Sequence, residues 1–345
     1  KTPNFAFFSD TIRDAIKGGN FDLKTTGFAT GASGLEQSIA DCFKAATSWC
    51  KSPTQTVNYA SCHDNYTLWD KISVSRADAS EPERIKMNNL AAAIYMMAEG
   101  IPLIHAGEEI LRSKPSVDGD GVEHNSYNLP DSVNSIKWND LNKEAYRNVR
   151  DYYKGLIEFR KNHAALRLTS AADVKANVNY KWIAKDVVMF VIGGKDQIAG
   201  EISDGIVVIF NAATSPQTVN LYQSDFGVAE GTWNICINDQ KAGVETLDSV
   251  TVTAAEGQVQ VAPISAMVLV KGEAKDQDSV YDKNELLTRK LQALKKFIST
   301  CENMEQGNYT NESWKTFTDA LAAAKTAAGK TDVTVEEIDS AMDQL

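Results

Sequence analysis

The first 165 residues alternate short apolar runs with helical patterns, and this alternation constrains the fold more than any other feature of the sequence. Three strand-helix units can be distinguished, with apolar runs at residues 4–9, 57–61 and 101–105. Such alternation predicts a parallel sheet. Three strands would leave unpaired backbone groups at the sheet edges, because a sheet so small cannot close on itself. We therefore predict that residues 1–165 are the last part of a larger structure, such as an eight-stranded β/α barrel.

The rest of the chain changes character twice. From residue 166, short runs rich in β-branched residues are separated by turn sequences such as GGKD and AAEG, which predicts a β-sandwich for residues 166–272. The polar stretch KGEAKDQDS then precedes three segments of helical periodicity, so residues 273–345 are predicted to be a linker and a small helical module. Asn308, Thr310 and Thr334 are candidate helix caps. The predicted fold class is α/β, then all-β, then all-α.

Charge, hydropathy pattern and cysteine content exclude several classes of partner and site. A net charge of −11 argues against nucleic acid as a partner, because phosphate binding needs clustered Lys and Arg. There is no apolar run of about 18 residues that would span a membrane. The five cysteines include no C-x-x-C pair, which indicates free thiols rather than a disulfide framework or a zinc site.

The most informative polar residues follow the second predicted strand directly: His63, Asp64, Asn65 and Tyr66. In β/α folds, ligands bind at the carboxyl ends of the strands. A carboxylate beside an imidazole can hold adjacent sugar hydroxyls, and an aromatic ring can pack on a pyranose, so the set suits a carbohydrate. The alternative is that Asp64 caps the next helix and His63 is a buried, hydrogen-bonded histidine.

Three further segments carry polar side chains near strand ends. His105, Glu108 and Glu109 follow the third strand, which predicts a second polar cluster on the same edge of the sheet. The alternative is that the two glutamates only complement a helix N-terminus. The polar loop 113–138 is long enough to be typical of a functional loop. After the first strand, Arg13 lies between two aspartates, and we predict a solvated or ion-paired helix face.

Three segments resemble conserved regions of type I pullulanases, which belong to glycoside hydrolase family 13 in the α-amylase superfamily. FAFFSDTIRDAIKG is similar to the sixth barrel strand of these enzymes, and VNYASCHDNYTLWDKI to their fourth conserved region. GIPLIHAGEEILRSK and HNSYNLPDSVNSIKW resemble the eighth strand and the loop after it. The β-rich region is similar to the C-terminal domain that follows the barrel in this family. The helical tail resembles the FIVAR-type module of surface proteins from Gram-positive bacteria.

The resemblance implies a retaining double displacement on α-glucans. This mechanism uses a nucleophilic Asp and an acid/base Glu about 5 to 5.5 Å apart, and in this family a third carboxylate stabilises the transition state. Asp64 matches the third carboxylate, His63 matches the histidine beside it, and Asn65 and Tyr66 are carried over as substrate-binding residues. The motifs of the nucleophile and the acid/base have no counterpart in the chain. We therefore expect no turnover by the chain alone, and we expect a missing N-terminal barrel portion as its partner.

The resemblance also bears on the bond that is cleaved. Asn125, Tyr127, Asn128 and Asp131 match the NSYNxPDSVN loop, which resembles the glucan-lining loop of pullulanases rather than that of plain α-amylases. It implies hydrolysis of α-1,6-glucosidic bonds in pullulan, starch or glycogen. Two alternatives stay open: an α-1,4-acting amylase or amylopullulanase, and a non-catalytic carbohydrate-binding surface protein.

The remaining expectations concern cofactors and location. No cofactor is expected, and the predicted partner is an α-glucan polysaccharide. Asp118, Asp120 and Glu123 in DGDGVE are a weak candidate for structural calcium, because the other ligands of a Ca²⁺ loop are missing from the sequence. The FIVAR-like tail implies that the protein is secreted or displayed on the surface of a Gram-positive bacterium.

Overall fold

The computed structural model describes residues 5–46, 49–119, 121–222, 228–272, 283–307 and 309–345. The chain forms two compact units, residues 1–275 and 276–345. The helices of the first unit are α1 Asp10–Lys17, α2 Glu36–Phe43, α3 Leu68–Ser75, α4 Glu81–Met97, α5 Asp131–Asn134, α6 Glu144–Asn162 and α7 Ala171–Asn177. Its strands are β1 Phe7–Phe8, β2 Thr56–Asn58, β3 Ile101–Pro102, β4 Val178–Ala184, β5 Val187–Gly193, β6 Gly205–Asn211, β7 Gln217–Asn220, β8 Gly231–Ile237, β9 Asp248–Val252, β10 Gln258–Val261 and β11 Ser265–Lys271. Within the described ranges, every helix is too short or too polar to cross a membrane.

The three N-terminal strands form one parallel sheet in the order β1-β2-β3. Phe7 pairs with Thr56, and Val57 pairs with Ile101. The predicted strand-helix units and their parallel pairing are therefore confirmed. Because the strands are parallel, their carboxyl ends and the loops that follow them meet at one edge of the sheet.

Helix α4 lies at the centre of the first unit. It begins with a capping box, in which the Ser80 backbone and hydroxyl both donate to Glu83. Residues 90–98 are all buried, because the helix is packed against α3, α6 and strand β11. A helix that is apolar on every side belongs in a core rather than at a surface.

The β-rich region forms two antiparallel sheets. The larger has the order β4-β5-β6-β11-β8-β9, and the smaller pairs β10 with β7. Alternate residues of β5 enter different cores: Val188 and Phe190 pack with the helices, while Val187 and Met189 pack with the smaller sheet. Both faces of β5 are covered, which explains why its sequence is continuously apolar rather than alternating. The β-branched runs from which strands were predicted in this region form β4 to β11.

One aromatic stack crosses the predicted boundary at residue 165. The ring of Phe43 in α2 lies 3.8 Å from that of Phe190 in β5, at 13° to it, and Phe210 in β6 packs edge-on at 6.0 Å. The helical layer and the larger sheet thus share a core. The division into residues 1–165 and 166–272 stays a prediction.

Three helices are not predicted from the sequence, and one of them, α5, lies inside the predicted loop 113–138. Helix α2 lies in a segment without clear periodicity, and α7 lies inside the region predicted to be all β. Ser170 caps α7, because its hydroxyl accepts a hydrogen bond from the Asp173 amide at 3.0 Å.

The second unit, described by itself, is a bundle of three helices: α8 Lys283–Cys301, α9 Asn311–Ala328 and α10 Val335–Gln344. Its core includes Leu294, Ala324 and Ile338. The predicted caps at Thr310 and Thr334 are confirmed, since each hydroxyl accepts a hydrogen bond from the first turn of its helix. The predicted cap Asn308 and the predicted linker at residues 273–282 lie outside the described residues.

A buried carboxylate, Glu201, joins the end of α6 to the β-rich region. It contacts His163 Nδ1 at 2.8 Å and accepts hydrogen bonds from the amides of Ala165 and Ser203. Burial alone would raise the pKa of Glu201, but these contacts outweigh it and lower the pKa to about 2. The ionised carboxylate therefore stabilises the folded state above the unfolded-state pKa of about 4.3. This stabilisation is lost as the pH falls toward about 2.

We expect Glu201→Gln to reduce the free energy of unfolding by roughly 2 to 3 kcal/mol at pH 7. The difference from the wild type should shrink steadily as the pH is lowered from 5 to 3. Urea unfolding of both proteins at pH 7, 5, 4 and 3 measures this difference, with the exposed Glu256→Gln as control. A difference that stays constant down to pH 3 would show that the charge of Glu201 does not stabilise the fold.

Candidate functional site

A pocket of about 450 Å³ lies at the carboxyl edge of the parallel sheet. All three strand ends contribute to its lining, which consists of Phe8, Asp10, Arg13, Asn20, Tyr59, Cys62, His63, Asp64, Asn65, Leu103, Ile104, His105 and Ala106. A larger groove of about 840 Å³ lies between α4, α6 and residues 239–247. We take the smaller pocket as the candidate site because the residues predicted from the strand ends line it.

His63 and Asp64 are both exposed at the pocket. Their side chains are 87% and 73% accessible, and His63 Nε2 lies 3.3 Å from Asp64 Oδ1. The alternative roles considered from the sequence are therefore wrong. Helix α3 begins at Leu68 and is capped by Thr67, whose hydroxyl accepts a hydrogen bond from the Asp70 amide at 3.1 Å. Neither side chain caps α3, and both are accessible to a ligand in the pocket.

Asn65 and Tyr66 occupy different positions around the same loop. Asn65 lines the pocket and has a φ of 62°, in the left-handed region that Asn tolerates better than most residues. The ring of Tyr66 is not among the lining residues and lies 5.7 Å from the ring of His124. Tyr66 therefore connects the loop after β2 with the long loop after β3.

The floor of the pocket contains a hydrogen-bonded group around Arg13. The guanidinium donates to Asp10 Oδ1 at 2.7 Å, to Tyr59 OH at 2.9 Å and to Asp14 Oδ1 at 2.7 Å. Tyr59 in turn donates to Asp10 Oδ1 at 2.8 Å, and burial together with this bond raises the pKa of Tyr59. The ion pairs predicted for Arg13 are confirmed, but Arg13 and Tyr59 are buried and, together with the exposed Asp10, line the pocket.

His105 reaches the same edge from β3, as predicted from the parallel strands. It is 7% exposed, and burial, together with the positive charges of Arg112 and Lys114, lowers its pKa to about 4. The imidazole is therefore neutral near pH 7, with one nitrogen as donor and the other as acceptor. A neutral ring suits hydrogen bonding to hydroxyl groups.

Glu108 lies behind the pocket and does not line it. Its carboxyl group accepts hydrogen bonds from Ser61 Oγ at 2.6 Å, Tyr95 OH at 2.7 Å and Tyr153 OH at 3.0 Å. Burial raises the pKa of Glu108 to about 7. Glu109 accepts from the Gly107 amide at 2.9 Å, so only Glu109 fits the expectation that these acids complement a helix N-terminus. Glu108 instead ties the end of β2 to α4 and α6.

The four loop residues implied by the resemblance, Asn125, Tyr127, Asn128 and Asp131, are all exposed and lie outside the pocket lining. Asn134 fixes this loop by donating to the carbonyls of Ser126 at 2.6 Å and Leu129 at 2.9 Å. Arg112 donates to the Asn134 carbonyl and, at 2.9 Å, to that of Ala106. The loop is thus connected to the pocket without entering it.

Metal ligands are not gathered anywhere in the part of the chain that the structure describes: no group of three or more His, Cys, Asp or Glu residues is placed to hold an ion. Asp120, one of the three residues considered for calcium, lies outside the described residues.

Residues 132–272 match the family model of alpha-1,6-glucosidases, pullulanase-type, C-terminal. The pullulanase of Bacillus subtilis (strain 168) is 34% identical over 225 residues, which cover 64% of this chain and 30% of that protein. The chain also matches the solved pullulanase from Bacillus acidopullulyticus with a TM-score of 0.69 and 32% identity, over 77% of this chain and 30% of the other. In sequence and in fold, the chain is similar to the C-terminal part of pullulanases.

The match covers the C-terminal part of these pullulanases, and the chain spans about a third of the length of the relatives. The pullulanase from Anoxybacillus sp. LM18-11 complexed with maltotetraose has a TM-score of 0.66 and 31% identity, over 79% of this chain and 36% of that one. The resemblance inferred from the strand-end motifs is therefore confirmed.

Several residues of this pullulanase-like site are not predicted from the sequence. Tyr59 lies in an apolar run, Arg112 directly precedes the loop 113–138, and Lys114 and His124 resemble the other polar residues of that loop. Each acts through a contact distant in sequence, such as the 51-residue separation between Lys114 and His63. Within a single sequence, the unusual length of the loop after β3 is a signal for Lys114 and His124, whereas Tyr59 and Arg112 have none.

Proposed function

We propose that the chain is the C-terminal part of a debranching enzyme that hydrolyses α-1,6-glucosidic bonds in pullulan, starch or glycogen by a retaining mechanism. The observation that carries the proposal is the exposed pair of Asp64 and His63 in the pocket at the carboxyl edge of the parallel sheet, in a chain similar to pullulanases. The maltotetraose complex of a relative supports an α-glucan as the ligand.

In this proposal Asp64 is the third carboxylate, which stabilises the positive charge of an oxocarbenium-like transition state. His63 and Asn65 hold hydroxyls of the same sugar, and Tyr66 supports the loop that carries them. The neutral His105 adds a hydrogen-bonding group at the pocket. Asn125, Tyr127, Asn128 and Asp131 would contact the glucan further out, since they lie on the exposed loop.

The nucleophile and the acid/base would come from barrel strands that precede β1. We propose that β1, β2 and β3 are the sixth to eighth strands of a (β/α)8 barrel. The exposed side chains of Phe5, Phe7 and Phe8, each more than half accessible, support this arrangement, because they offer an apolar surface for further strands. The two antiparallel sheets would form the β-sandwich domain of the family. The three-helix unit would be a FIVAR-like module of a secreted or surface-displayed protein.

The test is the product pattern from pullulan. A longer polypeptide that contains this chain and the preceding barrel strands should release maltotriose, since this product requires cleavage of the α-1,6 bonds. The chain alone should release no reducing ends. Panose-type products from the longer polypeptide would mean α-1,4 cleavage, and no products at all would contradict the assignment of a hydrolase.

A further inference from the structure

The ammonium group of Lys114 lies beneath the loop that carries His63 and Asp64. Lys114 is 1% exposed, and its Nζ donates to the carbonyl of His63 at 2.7 Å and to that of Asn65 at 3.0 Å. These carbonyls belong to the residues on either side of Asp64. A hydrogen bond from a charged donor is stronger than a neutral one, so two of them define the path of the loop firmly.

The backbone around Lys114 is itself fixed to helix α3. The carboxylate of Asp70, also 1% exposed, accepts from the Lys114 amide at 2.8 Å and from Ser113 Oγ at 2.5 Å. Asp70 lies in the first turn of α3, which follows the loop directly. Lys114, Ser113 and Asp70 therefore form a closed set of contacts beside the loop, which we call the Lys114 clamp.

The loop needs support from outside because its own side chains give it little. His63 and Asp64 project into solvent, and the contact between them is 3.3 Å long. Asn65 has a positive φ of 62°, a conformation that Asn tolerates but that is uncommon for residues other than Gly, so contacts around the loop help to select it. Among the described residues, the side chain that donates to the His63 and Asn65 carbonyls is that of Lys114.

We propose that Lys114 is a positioning residue that holds Asp64 and His63 at the mouth of the pocket. The inference rests on the function proposed above for Asp64, but the clamp is a property of the loop and can be tested without catalysis. A buried lysine that bonds to backbone carbonyls on both sides of a functional carboxylate can set the position of that carboxylate without touching the substrate.

The chain offers a matched control in Lys71. It is also fully buried, and its Nζ donates to a backbone carbonyl, that of Asp22, and to Thr25 Oγ1 at 3.2 Å. Lys71→Met removes the same kind of buried donor from the same unit without touching the loop at 63–65. A general loss of stability would therefore affect the Lys71 and Lys114 variants alike.

The first experiment measures backbone order in the full chain by ¹⁵N relaxation. In Lys114→Met we expect the order parameters of the His63, Asp64 and Asn65 amides to fall from about 0.85 to below about 0.6. In Lys71→Met these amides should keep their wild-type values. Unchanged order in Lys114→Met, or an equal loss in both variants, would overturn the clamp.

The second experiment measures turnover of pullulan by the longer polypeptide proposed above. Lys114→Met should lower kcat on the order of 100-fold with a smaller change in KM, because a carboxylate displaced by about 1 Å stabilises the transition state poorly. Lys114→Arg, which can still donate to both carbonyls, should recover part of the rate. A fall in kcat equal to that of Lys71→Met, or no recovery with arginine, would reduce Lys114 to a general stabilising residue.

The two experiments separate the clamp from the proposed function. Loss of loop order in Lys114→Met, together with normal turnover by an Asp64→Asn variant, would refute the role of Asp64 and leave the clamp standing. Normal loop order in Lys114→Met, together with an inactive Asp64→Asn variant, would refute the clamp and leave the role of Asp64 standing.

Discussion

Asp64→Asn in the longer polypeptide is expected to lower kcat for pullulan on the order of 1000-fold. The amide keeps the size and shape of the side chain but removes the negative charge that faces the developing oxocarbenium ion. Stability should be almost unchanged, because the side chain is 73% exposed and Asp64 Oδ1 lies no closer than 3.3 Å to His63 Nε2. Initial rates of reducing-end release and thermal unfolding of the same samples measure the two effects.

Asp78→Asn provides the control for this prediction. Asp78 is exposed to a similar degree, 70%, and pairs with Arg76 rather than lining the pocket. Its replacement should leave kcat within about twofold of the wild type, as expected for a surface change away from the site. Near-normal turnover by Asp64→Asn would remove Asp64 from the role proposed for it.

The position of the site was predictable because it follows from a rule of topology. Once β1, β2 and β3 were inferred to be parallel, residues after their ends had to share one edge of the sheet. His63, Asp64, Asn65 and His105 do line one pocket there. The sequence could not indicate how deeply each side chain lies, because exposure depends on loops that come from elsewhere in the chain.

Local rules were less reliable than topology at the start of α3. Asp is a preferred N-cap residue, so Asp64 was a reasonable candidate for that role. The structure uses Thr67 instead, and the loop at 63–65 stays outside the helix. A single sequence does not choose between two acceptable caps three residues apart, because the path of the loop also involves distant contacts, such as the hydrogen bond from Lys114, 51 positions away, to the His63 carbonyl.

The β-rich region was predicted more completely than the short helices. Its strands are long, β-branched runs whose apolar character reflects burial on one or both faces, as in β5. Helix α7 has seven residues, of which Val174 is buried, so its sequence has almost no periodic signal. Helix α2 buries Phe43 against a sheet that begins far along the chain, and only tertiary packing reveals that contact.

Phe43→Ala is expected to reduce the free energy of unfolding of the first unit by about 3 to 5 kcal/mol. The ring is fully buried, and it stacks on Phe190 and meets Phe210 edge-on, so its removal leaves a cavity between the helical layer and the larger sheet. Urea unfolding measures the loss. Phe21→Ala is the control, because Phe21 is 88% exposed and its replacement should change stability by less than about 0.5 kcal/mol.

The same variant tests the predicted boundary between residues 165 and 166. If the shared core makes the two parts one cooperative unit, amides in α4 and in β8 should lose protection from hydrogen exchange together in Phe43→Ala, because both depend on the same global opening. If β8 stays protected while α4 opens, the boundary separates two folding units and the aromatic stack is only an interface between them. The stack around Phe43, with its 3.8 Å ring separation, favours joint unfolding, since a closely packed aromatic contact is lost as a whole when either layer opens.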